Sequence, residues 1–149
     1  MKPTELEMSR IKRAAEEKEV RAIIARDFSA RRMSSTRWQE AIDSLQDVPY
    51  DKGRVKFVDV GEPLDGFLTP ATETYFDSNW GPVLILSVEW LEIDPVQEVS
   101  QGLLLKPQRI DHSGEIKRRL QVINVPYEWV DGYIRIVGYV RDGAKEATE

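Results

Sequence analysis

The segment from Val83 to Asp94 constrains the fold most, because it has the pattern of one long strand. Apart from Ser87, apolar residues fill both sides of its first half, from Val83 to Val88. A strand of this kind is typical of the centre of a sheet that is covered on both faces. Pro95 follows directly and ends it. We therefore predict one continuous central strand over 83–94, with the rest of the chain built around it.

The dipeptide Asp131-Gly132 predicts a β-hairpin with a two-residue type I′ turn, since both turn positions need a positive φ. The strands are expected over 126–130 and 133–141. Such a turn fixes the register, which pairs Val130 with Tyr133, Trp129 with Ile134, and Glu128 with Arg135. We expect Trp129 and Ile134 to face the core.

Two amphipathic helices complete a predicted α+β fold. The first is capped by Ser34, Ser35 or Thr36, runs to about Gln46, and buries the stripe Trp38, Ala41, Ile42 and Leu45. The second runs from Gly114 to about Asn124. Further strands are expected over 54–60 and 103–105, and a loop or short irregular hairpin over 61–82. We predict a mostly antiparallel sheet of four or five strands with two packed helices and an N-terminal helical arm.

Charge and capping signals divide the chain into an arm, a domain and a tail. Residues 4–32 have the pattern of one long helix, opened by Pro3 or Thr4. Residues 1–33 hold nine basic and six acidic residues, a net charge of +3, whereas residues 34–149 hold twelve and twenty, a net charge of −8. We predict a charged helical extension over 1–33, a single domain over 34–141 and a polar tail over 142–149.

Composition excludes several classes of site. The chain has no cysteine, which excludes disulfides, thiolate nucleophiles and cysteine-based metal sites. It has one histidine, so one chain cannot form a multi-histidine metal site. No apolar stretch is long enough to span a bilayer, and the N-terminus lacks the apolar core of a secretory signal. We predict a cytoplasmic protein with no cofactor, no bound metal and no membrane contact, and the acidic domain argues against nucleic-acid binding.

Three carboxylates at the end of the predicted central strand are weak catalytic candidates. Glu92 and Asp94 share a face, and Glu89 precedes them. Such a group could hold magnesium for hydrolysis. However, no lysine or histidine is placed in the sequence to complete a catalytic set, and carboxylates are also common where a strand emerges into solvent.

Two further sets of residues are candidate sites. Tyr133, Arg135 and Tyr139 alternate on one face of the predicted hairpin, a composition typical of binding surfaces. The alternative is ordinary cross-strand pairing, with a Glu128–Arg135 salt bridge. His112 could act as a general base beside an adjacent aspartate, but its place before a helix favours a capping or surface residue.

The chain from about 35 to 141 resembles a family of small uncharacterised bacterial proteins. The resemblance lies in four segments found in order: Thr36-Arg37-Trp38 at a helix start, Val88 to Ile93 (VEWLEI) on a strand, Asp111-His112-Ser113 before the next helix, and Pro126-Tyr127 leading to Ile134 through Tyr139 (IRIVGY). This resemblance implies no activity and no catalytic residues. In size, acidity and architecture the domain is also similar to bacterial immunity proteins, which neutralise a toxin by blocking it.

Three functional hypotheses follow. The leading one is a non-enzymatic protein-binding module, immunity-like in its narrower form, whose acidic domain meets a basic protein partner. The alternative is a magnesium-dependent hydrolase that uses the three carboxylates. The third assigns the function to the arm, through helix pairing and self-association or through contact with an anionic surface by its arginines at 21, 26, 31 and 32.

Overall fold

The computed structural model describes residues 4–143, which form three α-helices and twelve strands in an α+β fold. The helices are α1 (Glu5–Asp27), α2 (Ser35–Leu45) and α3 (Ser113–Val122). The strands are β1 (Phe28–Arg31), β2 (Lys52–Phe57), β3 (Leu64–Asp65), β4 (Leu68–Pro70), β5 (Tyr75–Ser78), β6 (Val83–Leu84), β7 (Val88–Asp94), β8 (Val96–Val99), β9 (Gln108–Asp111), β10 (Glu128–Val130), β11 (Tyr133–Val137) and β12 (Tyr139–Arg141). None of the helices in this part of the chain is both long and apolar enough to cross a membrane. Most of the predicted tail, residues 144–149, lies outside the described residues.

A five-stranded antiparallel sheet, in the order β10-β11-β7-β2-β3, forms the centre of the molecule and confirms the predicted architecture. Its inner face carries fully buried aliphatic side chains, and α2 and α3 pack on that face. Ser34 caps α2, since its side chain accepts a hydrogen bond from the Arg37 N–H at 3.2 Å. The core includes Val55, Leu91, Ile93, Ile134 and Ile136 from the sheet, Trp38, Ala41, Ile42 and Leu45 from α2, and Ile116 and Leu120 from α3.

Two arginines fasten α3 to α2. The Arg37 guanidinium donates to the Ile123 carbonyl at 2.8 Å and to the Asn124 carbonyl, which are free acceptors at the end of α3. Arg119 donates to the Ser44 carbonyl at 2.8 Å and pairs with Asp47 beyond the end of α2. The Arg37 contacts join the start of α2 to the end of α3, and the Arg119 contacts join α3 to the end of α2. Together they fix the position of α3 against α2.

The C-terminal hairpin has the predicted turn and register. Asp131 and Gly132 have φ values of 50° and 85°, and all three predicted residue pairs are present. The expected burial of Trp129 was wrong, because β10 is the edge strand and this residue is 49% exposed. The Lys117 ammonium lies over this ring, 4.6 Å from its centre.

The predicted continuous strand over 83–94 was wrong, because a single 3-10 turn at Ile85–Ser87 separates β6 from β7. The Ser87 hydroxyl donates to the Leu84 carbonyl at 2.7 Å and stabilises this turn. The turn sends neighbouring side chains to two cores: Ile85 joins the main core, whereas Leu86 joins a second one. Strand β6 is therefore not part of the central sheet. It pairs instead in a small sheet of order β4-β5-β6.

The predicted helix over 4–32 is correct only as far as Asp27. Of the two predicted starts, Pro3 and Thr4, it is Thr4 that caps α1, through a reciprocal capping box with Glu7. Residues 28–31, however, form β1, which pairs with β12. The second core lies beneath this pair and contains Val20, Phe28, Val58, Leu84, Leu86 and Tyr139. Residues from both sides of the predicted boundary at Met33 therefore pack together in the second core. Met33 itself lies in the main core.

The segment 103–105 was predicted as a strand, and this was wrong. Strands β8 and β9 instead form a hairpin, and residues 103–105 lie in a turn at its tip. The base of the hairpin is held by the His112 N–H, which donates to the Pro95 carbonyl at 2.8 Å, and by the Glu98 N–H, which donates to Asp51 at 2.8 Å. The hairpin is thus anchored at its base and projects at its tip.

Candidate binding surfaces

The outer face of the central sheet, opposite the helices, carries a row of alternating charges. Each of the five strands contributes one residue, and each residue is directly paired with the next: Asp65, Arg54, Glu92, Arg135 and Glu128. Directly paired residues on neighbouring strands point to the same face. We call these five residues the charge row.

Glu92 is the buried centre of the charge row. Its side chain is fully buried and binds Arg54 at 2.7 Å and Arg135 at 2.6 Å. Each guanidinium also stacks on an aromatic ring at 4.3 Å, Arg54 on Tyr133 and Arg135 on Trp90. Two cations therefore enclose one carboxylate, Arg135 through a charge-assisted hydrogen bond from its Nε at 2.8 Å and Arg54 through an ion pair, and they leave one surplus positive charge.

Glu89 and Asp94, the other predicted carboxylates, are held separately from Glu92. Glu89 is buried and binds Lys56 at 3.3 Å and Arg141 at 2.9 Å. Asp94 accepts a hydrogen bond from the Val96 N–H at 3.0 Å in the turn before β8. Across residues 4–143 the structure assembles no group of three or more Asp, Glu or His side chains able to hold a metal ion. The predicted carboxylates act here as acceptors within ion pairs and a turn.

The predicted surface of Tyr133, Arg135 and Tyr139 does not form, because Tyr139 is buried. Its hydroxyl donates to the Leu86 carbonyl at 2.8 Å, and burial raises the pKa of this phenol. The reason is Gly138, where the chain leaves the central sheet and begins the β1–β12 pair. Tyr133 and Arg135 do share the outer face, but Arg135 pairs with Glu92 rather than with Glu128.

His112 occupies a structural position at the start of α3. It is the N-cap residue, and its Nε2 lies 2.9 Å from the Gln97 side-chain oxygen on β8. Asp111 accepts a hydrogen bond from the Ser113 N–H at 2.8 Å instead of orienting the imidazole. The imidazole makes no capping hydrogen bond to α3, so the geometry favours a structural histidine in the cap region that contacts β8.

The most exposed apolar residues lie at the end of the β8–β9 hairpin. Leu103 and Leu104 are fully exposed, at 104% and 98%, and Leu105 is 61% exposed. We call Leu103–Leu105 the leucine tip. A run of exposed apolar residues is rare on a soluble surface unless another molecule covers it. Sequence reasoning assigned this run to a strand, although Gly102 and Pro107 on either side were signals of a turn.

Residues 20–143 match a family described as a family of unknown function (DUF6678). The chain belongs to this family. The match confirms the expected resemblance to an uncharacterised family and extends it beyond the predicted start at residue 35. The region matched by DUF6678 therefore includes Val20 of α1 and all of β1, which contribute Val20 and Phe28 to the second core. The comparisons found no matching curated protein and no matching solved structure.

Proposed function

We propose that this DUF6678 chain is a bacterial, cytoplasmic, non-enzymatic protein-binding module that is anchored by the leucine tip. The observation that carries the proposal is three consecutive exposed leucines on a hairpin whose base is fixed to the domain. Full burial of one leucine side chain contributes about 1.5–3 kcal/mol. Insertion of the tip into an apolar pocket of a partner therefore supplies substantial binding energy without a change in the domain.

The partner in this proposal is a basic protein. Residues 34–149 carry a net charge of −8, and a strongly charged body attracts an oppositely charged partner over long distances. Association is therefore fast and becomes slower as salt is added. In the narrower, immunity-like form of the proposal, the partner is a toxin that this chain blocks.

Affinity capture from the protein's own cells tests the proposal with matched variants. The tip variant is Leu103→Ser with Leu104→Ser. The control is Leu6→Ser with Met8→Ser, which also removes two exposed apolar side chains, here from α1. We expect the wild type and the control to retain a stoichiometric basic protein at low salt, and the tip variant to lose it.

Two results would contradict this proposal: recovery of free protein alone at low salt, or equal retention by the tip variant.

Sedimentation of the same control variant separately tests the arm. A wild-type oligomer that dissociates in this variant would assign self-association to α1.

The non-enzymatic part of the proposal is tested by calorimetric titration with Mg²⁺ or Mn²⁺, for which we expect no heat of binding. A binding heat that Asp94→Asn abolishes would support the hydrolase instead.

A further inference from the structure

The outer edge of β10 carries backbone groups that the sheet does not use. In a two-residue hairpin the residues next to the turn, Val130 and Tyr133, exchange both of their hydrogen bonds. The following pair, Trp129 and Ile134, is a non-hydrogen-bonded pair because the two types alternate in an antiparallel ladder. The N–H and C=O of Trp129 therefore point away from β11. Since β10 is the last strand of the sheet, they point out from its edge.

The charge row ends at this edge with an unpaired carboxylate. Its members alternate in sign from Asp65 to Glu128, and Arg135 turns its guanidinium toward Glu92. Glu128 is consequently left with no ion-pair partner among residues 4–143. The next position in the row lies on whatever strand pairs with β10. A lysine or arginine there continues the alternation and neutralises Glu128.

The other face of the same edge is apolar. The Trp129 ring lies on the side of α3, where Lys117 covers part of it and about half remains exposed. A strand added to β10 places one side chain against this ring and the next on the opposite face beside Glu128. The edge thus selects two adjacent residues of an added strand, one on each face of the sheet.

We propose that β10 is a strand-addition site for an extended segment of a basic protein, with an apolar residue opposite Trp129 and a lysine or arginine opposite Glu128. Main-chain hydrogen bonds to Trp129 hold the segment, and the two side chains select it. Because β10 has only three residues, few main-chain bonds form, so the side chains determine most of the discrimination. This surface is independent of the leucine tip.

The test uses the full chain and two fluorescein-labelled peptides, Thr-Val-Leu-Lys-Val-Thr and the same peptide with glutamate in place of lysine. In antiparallel pairing the leucine lies opposite Trp129 and the lysine opposite Glu128. Fluorescence anisotropy measures both affinities, and amide NMR of the labelled protein locates the site. We expect the lysine peptide to bind about fivefold more tightly and to shift the Trp129 and Glu128 amides.

Three variants complete the experiment. Glu128→Lys should reverse the preference between the two peptides by a similar factor. Trp129→Pro removes the outward N–H without removing a bond to β11, and should bind neither peptide, whereas Trp129→Thr keeps the N–H and should retain the lysine preference at lower affinity. The tip variant should bind as the wild type does, so the test does not depend on the tip.

The proposal is overturned if both peptides bind equally to wild type and Glu128→Lys, or if Trp129→Pro binds as the wild type does. It is also overturned if the wild type is a dimer that Trp129→Pro dissociates. In that case the edge pairs with a second copy of the chain rather than with a basic segment.

Discussion

Replacement of Glu92 by glutamine keeps the shape of the buried side chain and removes its charge. Both guanidiniums then lose their carboxylate and lie close to each other. Removal of one partner from a fully buried ion pair costs about 3–5 kcal/mol. Arg54 and Arg135 are 35% and 25% exposed, so water recovers part of this loss. We therefore expect Glu92→Gln to lower the free energy of unfolding by about 2–3 kcal/mol.

Urea unfolding followed by tryptophan fluorescence measures this loss. With a typical urea dependence, the midpoint should fall by about 1–2 M while the slope stays unchanged. The matched control is Glu17→Gln, which breaks the exposed ion pair with Arg21 and should cost less than about 1 kcal/mol. If Glu92→Gln lowers the midpoint no more than Glu17→Gln does, the reasoning about the buried cluster is refuted.

A second comparison tests whether the loss of stability comes from the unpaired charges rather than from a change in the shape of the cluster. Replacement of all three groups together, Arg54→Met with Glu92→Leu and Arg135→Met, removes every charge and leaves none unpaired. Apolar replacement of a whole buried ion cluster is often neutral or stabilising. We expect this triple variant to be more stable than Glu92→Gln in the same assay, and a still lower midpoint would contradict the account.

The remaining predictions concern packing and pH. Gly138→Ala should lower the free energy of unfolding by about 1–3 kcal/mol, because the added Cβ meets the Val88 carbonyl oxygen at 2.7 Å; Gly114→Ala meets nothing within 4 Å and should cause no loss. Hydrogen bonds from Arg118 and Arg119 lower the pKa of Glu115 from 4.5 to about 2. Its stabilising contribution is therefore complete above about pH 4.5 and lost toward pH 2, so the unfolding midpoint of Glu115→Gln should depend less on pH in that window. Equal midpoints for the two glycine variants, or parallel pH profiles, would contradict these statements.

The elements that the sequence predicted well are specified by neighbouring residues. The hairpin register follows from Asp131-Gly132 alone, and the start of α2 follows from the Ser34 cap and the apolar stripe behind it. Whereas β3 lies in the segment predicted as a loop or short irregular hairpin, the other four strands of the central sheet, β10, β11, β7 and β2, overlap predicted strands. In these segments local chemistry and the final fold favour the same conformation.

Two of the wrong predictions, the helix over 28–31 and the surface that includes Tyr139, concern pairings between residues that are distant in the chain. Residues 28–31 extend a helical pattern, yet they pair with β12, about 110 residues later in the sequence. This pairing requires Gly138, where a Cβ would collide with the Val88 carbonyl, and it buries Tyr139. Local periodicity carries no information about such a partner, so the predicted Tyr139 surface could not be rejected from the sequence.

The candidate sites were predicted only in part. The sequence placed Glu92 with Asp94 on one face of a strand and Arg135 with Tyr133 on one face of the hairpin, but the pairing of Glu92 with Arg135 depends on the register of β11 against β7. The leucine tip was missed because three consecutive leucines have the composition of a buried strand. Only the hairpin geometry places these side chains in solvent, at the end of β8 and β9.

Photocrosslinking at the leucine tip tests the central claim most directly. A benzophenone amino acid is placed at Leu104 in the full chain, expressed in its own cells, and at Val122 as a control, since Val122 is also exposed, at 71%. The account predicts that position 104 crosslinks to one basic protein in high yield and that position 122 does not. Equal, diffuse labelling from both positions would show that the tip meets no specific partner and would contradict the proposed function.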